Sequence, residues 1–294
     1  MKTALLLGAT GQLGKLVALS APESISLHAL SSSQLDITNS AELSEALSTI
    51  KPDLIINTAA YTQVDLAESE QDKAYSVNAD AVMHLATLAH PSIRVVHLST
   101  DFVFSEVKKS PYFPEDSPHP VSVYGKSKLE GEKALLGSRP DNSVVLRTSW
   151  LYSAGSRNFV TVMLEMMSSK EELHIVNDQF GSPTSANTLA EVVWKLACTK
   201  HANGIYHWSD SGVISWYDFA KEIQRQGLAM GLLKKEIPLQ TIPSSQYPTT
   251  AKRPAYSALD SSATEKLLGF KTRPWQVQLA SVLKNIQELD SAYE

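Results

Sequence analysis

Apolar positions in the first half of the chain fall into short runs of strand length, separated by longer segments with helical period. The runs are Lys2 to Leu7, Ile25 to Leu30, Asp53 to Asn57, Arg94 to Leu98 and Val144 to Leu151. Helical patterns follow the first run through Val17 and Leu19, and cover 41–50 and about 71–90. This alternation predicts right-handed βαβ crossovers and an α/β fold, a Rossmann-like doubly wound parallel sheet with helices on both faces. Ligands of such sheets bind beyond the carboxyl ends of the strands, where Gly11, Ala59, Thr100 and Trp150 fall.

Beyond residue 150 the pattern changes. Asn158 to Lys170 reads as a methionine-rich helix, Leu173 to Val176 as a further strand of the main sheet, and Thr188 to Ala197 as a helix. From Gly204 onward the elements read as shorter and are punctuated by Pro238, Pro243, Pro248, Pro254 and Pro274, with no internal repeat. The expected division is a dinucleotide-binding domain at 1–148 and about 174–204. A smaller α/β substrate-binding lobe is expected at about 149–173 and 205–294.

The chain's 294 residues, 43% hydrophobic, suffice for two lobes with a substantial core. A net charge of −5 argues against a nucleic-acid footprint. No apolar stretch reaches the roughly 20 residues needed to cross a bilayer, and Ala4 to Leu7 is too short for a secretory h-region. A cytoplasmic enzyme with no membrane partner is therefore expected. The single cysteine, Cys198, has no internal disulfide partner and, lying in an apolar helical stretch, reads as a buried thiol.

The candidate chemistry begins where the first strand runs into Gly8-Ala9-Thr10-Gly11-Gln12-Leu13-Gly14. A strand, a glycine turn and a helix N-terminus direct backbone N–H groups and a helix dipole at a pyrophosphate. Downstream, Tyr124 and Lys128 are four residues apart, so on one helix they share a face. A phenol titrates near 10, and a neighbouring ammonium would lower it. Tyr124 could then protonate a carbonyl oxygen as hydride reaches its carbon, with the Thr100 hydroxyl holding that oxygen. The second strand ends in Ser31-Ser32-Ser33, with no acidic residue to repel a 2′-phosphate. The expected cofactor is NADPH, with Ser31 facing the phosphate and NADH tolerated.

The G-x-x-G-x-x-G spacing resembles that of the short-chain dehydrogenase/reductase superfamily. Further segments narrow the resemblance: Asn57 to Asp65, Ser99-Thr100-Asp101-Phe102-Val103-Phe104, Tyr124-Gly125-Lys126-Ser127-Lys128-Leu129-Glu130-Gly131-Glu132, Arg147 to Tyr152, Val176 to Thr184 and Lys252-Arg253-Pro254. In this order they resemble the dTDP-4-dehydrorhamnose reductase family over essentially the whole chain. The resemblance implies reduction of the 4-keto group of dTDP-6-deoxy-L-lyxo-4-hexulose to dTDP-L-rhamnose, a polysaccharide precursor. It implies Thr100, Tyr124 and Lys128 as catalytic residues. Cofactor contacts are implied from Gly8, Gly11, Gln12, Leu13, Ala59, Ala60 and Tyr61, with Lys128 on the nicotinamide ribose. Asp36 and Ile37 resemble an adenine-contacting element, and read equally as a capped turn before helix 41–50. Trp150 would pack against the deoxysugar, Phe102 would line the sugar pocket, and Arg253 would meet the substrate diphosphate.

Phe102 departs from the tyrosine of many relatives, which leaves the sugar pocket in question. Thr58 and Leu66 also depart. Some relatives use magnesium in assembling dimers. A homodimer stays open here, while the first helix begins Lys15-Leu16 without a carboxylate, so no metal is expected. The chain is also similar to a regulatory subunit of methionine adenosyltransferase that binds a partner enzyme, and a reductase or epimerase of another nucleotide sugar is a third reading.

Overall fold

Successive side chains of a strand point to opposite faces, and the central strands here bury both. The strands are β1 (Lys2–Leu7), β2 (Ile25–Leu30), β3 (Leu54–Asn57), β4 (Arg94–Thr100) and β5 (Ser143–Thr148) in a computed structural model that describes residues 1–105 and 108–291. On one face Ala4, Leu6, Ile56, Val96 and Val144 pack against Val17 of α1 (Gln12–Leu19) and against Leu189 and Val193 of the helix Ala186–Cys198. On the other, Leu5, Ile55, Val95 and Val145 meet Leu43 and Leu47 of α2 (Ser40–Ile50) and Val82 and Leu85 of the helix Ala81–Leu88. The buried positions of β3, β4 and β5 and of the second half of β1 are thus continuous, as a parallel sheet covered on both faces requires, while β2 at the edge is only partly buried.

The sheet has six strands in the order Gly204–His207, β5, β4, β3, β1, β2, and all pairings are parallel. From β1 the chain goes first to β2 on one side and then to β3 on the other, so the order reverses between β1 and β3. A crevice at the carboxyl ends of strands forms at such a reversal.

A third core, built on Tyr152, Met163, Met167, Phe219, Ile223, Trp275 and Leu279, joins the helices Phe159–Ser169, Trp216–Ala229 and Trp275–Ser291. The expectation of short elements after Gly204 fails here, since the last two helices have 14 and 17 residues.

Four further local expectations are corrected. Leu173–Val176 is a strand, but it pairs with Leu239–Ile242 in a separate two-stranded sheet and buries Leu173 and Ile175 in the third core. The sixth strand of the main sheet is instead Gly204–His207, on the free edge of β5. The run Val144 to Leu151 is broken at Trp150, whose φ of 44° turns the chain into Leu151–Tyr152, paired with Thr184–Ser185. The helix expected over 71–90 is interrupted by a π-helical turn, Ser76–Asp80. Cys198 is exposed, because it follows the buried pair Leu196 and Ala197 on the next step of the helix.

The helix Val123–Ser138 is set against the sheet by a buried ion pair. Arg147 of β5 donates from Nη2 to Glu132 Oε2 at 2.6 Å and from Nε to Oε1 at 2.9 Å, and Ser99 of β4 donates its hydroxyl to the same carboxylate. Glycines let the helix lie close: a Cβ at Gly125 would collide with the Phe102 carbonyl, and one at Gly131 with that of Asn78. Arg147→Met would leave Glu132 charged and unpaired among buried groups. It is expected to lower the unfolding free energy by roughly 3–5 kcal/mol, measured by urea denaturation; a loss below about 1 kcal/mol would show that the pair does not fix this helix.

Candidate active site

The turn after β1 is shaped by steric limits. Gly8 has φ of 78°, and a Cβ there would press on the Ala59 backbone, while one at Gly14 would collide with the Gly8 carbonyl. Gly11 is the N-cap of α1, with no side chain capping the first turn. The amides of that turn thus remain open toward the β1/β3 crevice, a fit for an anionic dinucleotide.

A cavity of about 690 Å³ fills this crevice. Its lining brings together Gly8, Gly11, Gln12, Leu13, Asp36, Ile37, Ala59, Ala60 and Tyr61 with Thr100, Phe102, Tyr124, Lys128 and Trp150. Two expected residues stand apart from it. Ser32 rather than Ser31 lines the wall. Ser31 pairs its hydroxyl with Ser33 Oγ at 2.9 Å and Gln34 Oε1 at 2.9 Å. Arg253 forks onto Asp65, at 3.1 and 2.8 Å, away from the lining, and its guanidinium holds the Asp65 carboxyl below its ordinary value. Asp36 makes a turn, accepting from the Thr38 amide and hydroxyl, while Asn39 caps α2.

The loop 58–62 is pinned by Asn78 of the π turn. Its Oδ1 accepts from Tyr61 N at 2.9 Å, and its Nδ2 donates to Tyr61 O at 3.1 Å and Ser127 Oγ at 3.0 Å. Sequence reading missed Asn78, because one asparagine within a helical pattern gives no signal of a distant partner. Trp150 stacks on Trp216 with ring centres 3.5 Å apart, and Gly181 lies against its edge.

At the Thr100 end of the cavity, the rings of Phe102 and Tyr124 meet edge to face at 5.6 Å. Tyr124 is partly exposed at the wall, and desolvation pushes its phenol up to about 12, opposed by a hydrogen bond with Thr100 and reinforced by the charge of Asp101. Sequence reasoning expected Lys128 to lower that phenol. Instead Lys128, 1% exposed, turns to β4, with Nζ 2.6 Å from Leu98 O and 3.2 Å from His97 Nε2. Burial brings its ammonium down to about 8, against the pull of Glu132.

Asp101 receives the hydroxyls of Thr100 at 3.1 Å and Ser257 at 2.6 Å, and burial raises it to about 6. No helix among the described residues is long and apolar enough to cross a membrane. Among the same residues no three or more His, Cys, Asp or Glu side chains form a metal-binding group.

Three comparisons bear on this site. A family model described as the RmlD substrate binding domain matches residues 1–288. A dTDP-4-dehydrorhamnose reductase of Aggregatibacter actinomycetemcomitans is 40% identical, covering 98% of this chain and 99% of the relative. The spore coat polysaccharide biosynthesis protein SpsK of Bacillus subtilis is 37% identical over 99% of each chain. The crystal structure of the Bacillus anthracis dTDP-4-dehydrorhamnose reductase in complex with NADP superposes with a TM-score of 0.89 at 32% identity, covering 97% of this chain and 99% of that one.

The raised pKa of Asp101 gives a signed prediction. The folded chain holds this proton more tightly than the unfolded chain, so the linked stability is complete below about pH 4 and is lost as pH rises through about 6. Asp101→Asn removes that loss. Relative to the parent it should gain up to about 3 kcal/mol between about pH 4 and about pH 8, read by urea unfolding at both; an offset that stays constant between them would refute it.

Proposed function

The chain belongs to the dTDP-4-dehydrorhamnose reductase family, and on that premise we propose that it reduces the 4-keto group of dTDP-6-deoxy-L-lyxo-4-hexulose with NADPH, giving dTDP-L-rhamnose. The observation that carries this reading is one cavity in which the open first turn of α1 shares a wall with Thr100, Tyr124 and Lys128. Gly8, Gly11, Gln12 and Leu13 would hold the diphosphate of the cofactor, with Ala59, Ala60 and Tyr61 beside the nicotinamide. NADPH held there would supply a hydride for C4.

Tyr124 then gives its phenolic proton to O4, completing the alcohol. Thr100 would turn its hydroxyl from Asp101 to the same oxygen and set the angle of approach. A phenol at about 12 keeps its proton at neutral pH, which suits a donor. The Trp150–Trp216 stack and Phe102 offer apolar faces for the deoxysugar and exclude water. The domain boundaries belong to the same proposal: the sheet carries the cofactor, and the lobe around the third core covers the sugar.

Tyr124→Phe should reduce turnover by roughly 10²–10⁴-fold while leaving the NADPH dissociation constant nearly unchanged. The assay is NADPH oxidation with the enzymatically generated keto sugar, alongside fluorescence titration of NADPH. Turnover close to that of the parent would remove Tyr124 from the reaction.

Ser32 on the cavity wall supports a site open to the 2′-phosphate of NADPH. Ser32→Asp should weaken NADPH by about tenfold more than NADH, and Ser31→Asp, whose native hydroxyl is engaged with Ser33 and Gln34, should leave that ratio unaltered. Equal losses of both cofactors in Ser32→Asp would exclude this wall as the phosphate contact.

A further inference from the structure

Behind the cavity wall lies a buried chain of three polar side chains. Asn57 ends β3, His97 is central in β4 and Lys128 comes from the helix Val123–Ser138; all are at most 1% exposed. The backbone fixes the asparagine amide, because Asn57 Oδ1 accepts from the Ala59 N–H at 3.1 Å. Nδ2 is therefore the atom that faces His97 Nδ1, at 3.1 Å.

An amide nitrogen can only donate, and a neutral imidazole has one N–H and one bare nitrogen. Nδ1 must then be bare, and the ring proton sits on Nε2. That N–H points at Lys128 Nζ, 3.2 Å away. Nζ already donates to the Leu98 carbonyl at 2.6 Å. An ammonium has no lone pair to accept the imidazole N–H, whereas a neutral amine has one.

From this geometry we infer that His97 is a positioning residue that holds Lys128 as a neutral amine in the ligand-free protein. The opposite arrangement, an ammonium donating to Nε2, would set an Nδ1–H against the Asn57 amide hydrogens. Turning that amide only moves the conflict, since its NH₂ would then meet the Ala59 N–H. An imidazolium has the same clash at Nδ1, and burial alone pushes His97 below its ordinary value.

Other charged groups surround the chain of bonds. Glu132, one turn further along the helix, favours the ammonium, but its oxygens are taken by Arg147 and Ser99. Tyr124, one turn earlier, is held protonated by desolvation and by the charge of Asp101. Burial already lowers Lys128 to about 8. The His97 N–H acts in the same direction, against the ammonium.

The functional consequence rests on the reductase reading. When the anionic cofactor fills the cavity, Lys128 Nζ leaves His97 Nε2 for the cavity that it lines and takes one proton from solvent. The positive charge then arises on the wall that Lys128 shares with Tyr124, and only once the cofactor is in place.

The test begins with the free protein, labelled with ¹⁵N-histidine, in two-bond ¹H–¹⁵N imidazole correlations at about pH 7. The His97 signals are assigned by their loss in His97→Gln. Nε2 protonated with Nδ1 bare is the expected result; Nδ1 protonated, or both, overturns the inference. Asn57→Asp presents a carboxylate that accepts from Nδ1–H and should reverse the tautomer, and an unchanged ring would also overturn it.

NADPH is then titrated by calorimetry in buffers of differing ionisation enthalpy. Uptake of about one proton is expected, diminished in His97→Gln. Firm binding without uptake overturns the inference, whereas absence of NADPH binding counts against the reductase reading and leaves the tautomer result to decide the role of His97.

Discussion

The position of the Tyr124 phenol depends on a buried carboxylate two turns away from it. Tyr124, Lys128 and Glu132 follow one another at four-residue intervals on one helix face. Glu132 is fixed by the fork of Arg147 from β5 and by Ser99 from β4, so the helix cannot rotate or slide without breaking a desolvated ion pair. With that end locked, Lys128 must meet the backbone of β4 and Tyr124 must face the cavity. A pair like this contributes little net stability once its desolvation is counted. Its effect lies in registry, since an apolar pair of equal volume would fill the space without fixing the rotation of the helix.

The other wall is held by longer-range contacts of the same kind. Trp150 leaves the end of β5 in a left-handed conformation and stacks on Trp216, with Gly181 leaving room for the indole edge. A strained residue at the junction of sheet and lobe persists only where packing over-determines it, and the aromatic stack supplies that packing. Arg253 and the Ala251 amide, both on Asp65, tie the C-terminal segment to the end of the loop after β3. These contacts brace the cavity from outside, since its own lining runs only from Leu7 to Leu151.

What could be read from the sequence follows from the range of the forces involved. The central strands and the glycine turn were legible because strand length, helical period and the needs of a tight turn are local. Leu173–Val176 was legible as a strand but not as to its partner, since pairing is decided by which core buries Leu173 and Ile175. Gly204–His207 was hidden because four residues of mixed exposure carry no strong alternation. The π turn at 76–80 and the pin made by Asn78 depend on a backbone approach to Gly131 that no local pattern encodes. Arg253 carries the right fork for a phosphate, but a fork suits a carboxylate equally, and only the fold brings Asp65 within reach.

The least legible feature was electrostatic. Four-residue spacing puts Tyr124 and Lys128 on one face, and from spacing alone the lysine should lower the phenol. Burial acts on both groups toward their neutral forms, pushing the phenol up and the amine down. That outcome fits proton donation better than the expected one. A phenol kept protonated cannot lose its hydrogen before hydride arrives. In the proposed reaction the alkoxide left by hydride transfer would be more basic than a phenolate at about 12, so the proton would pass downhill. A lysine charged throughout would weaken that timing by favouring phenolate in advance. Held neutral by a histidine whose own tautomer is set by a backbone amide through Asn57, it leaves the acid intact until the cavity fills.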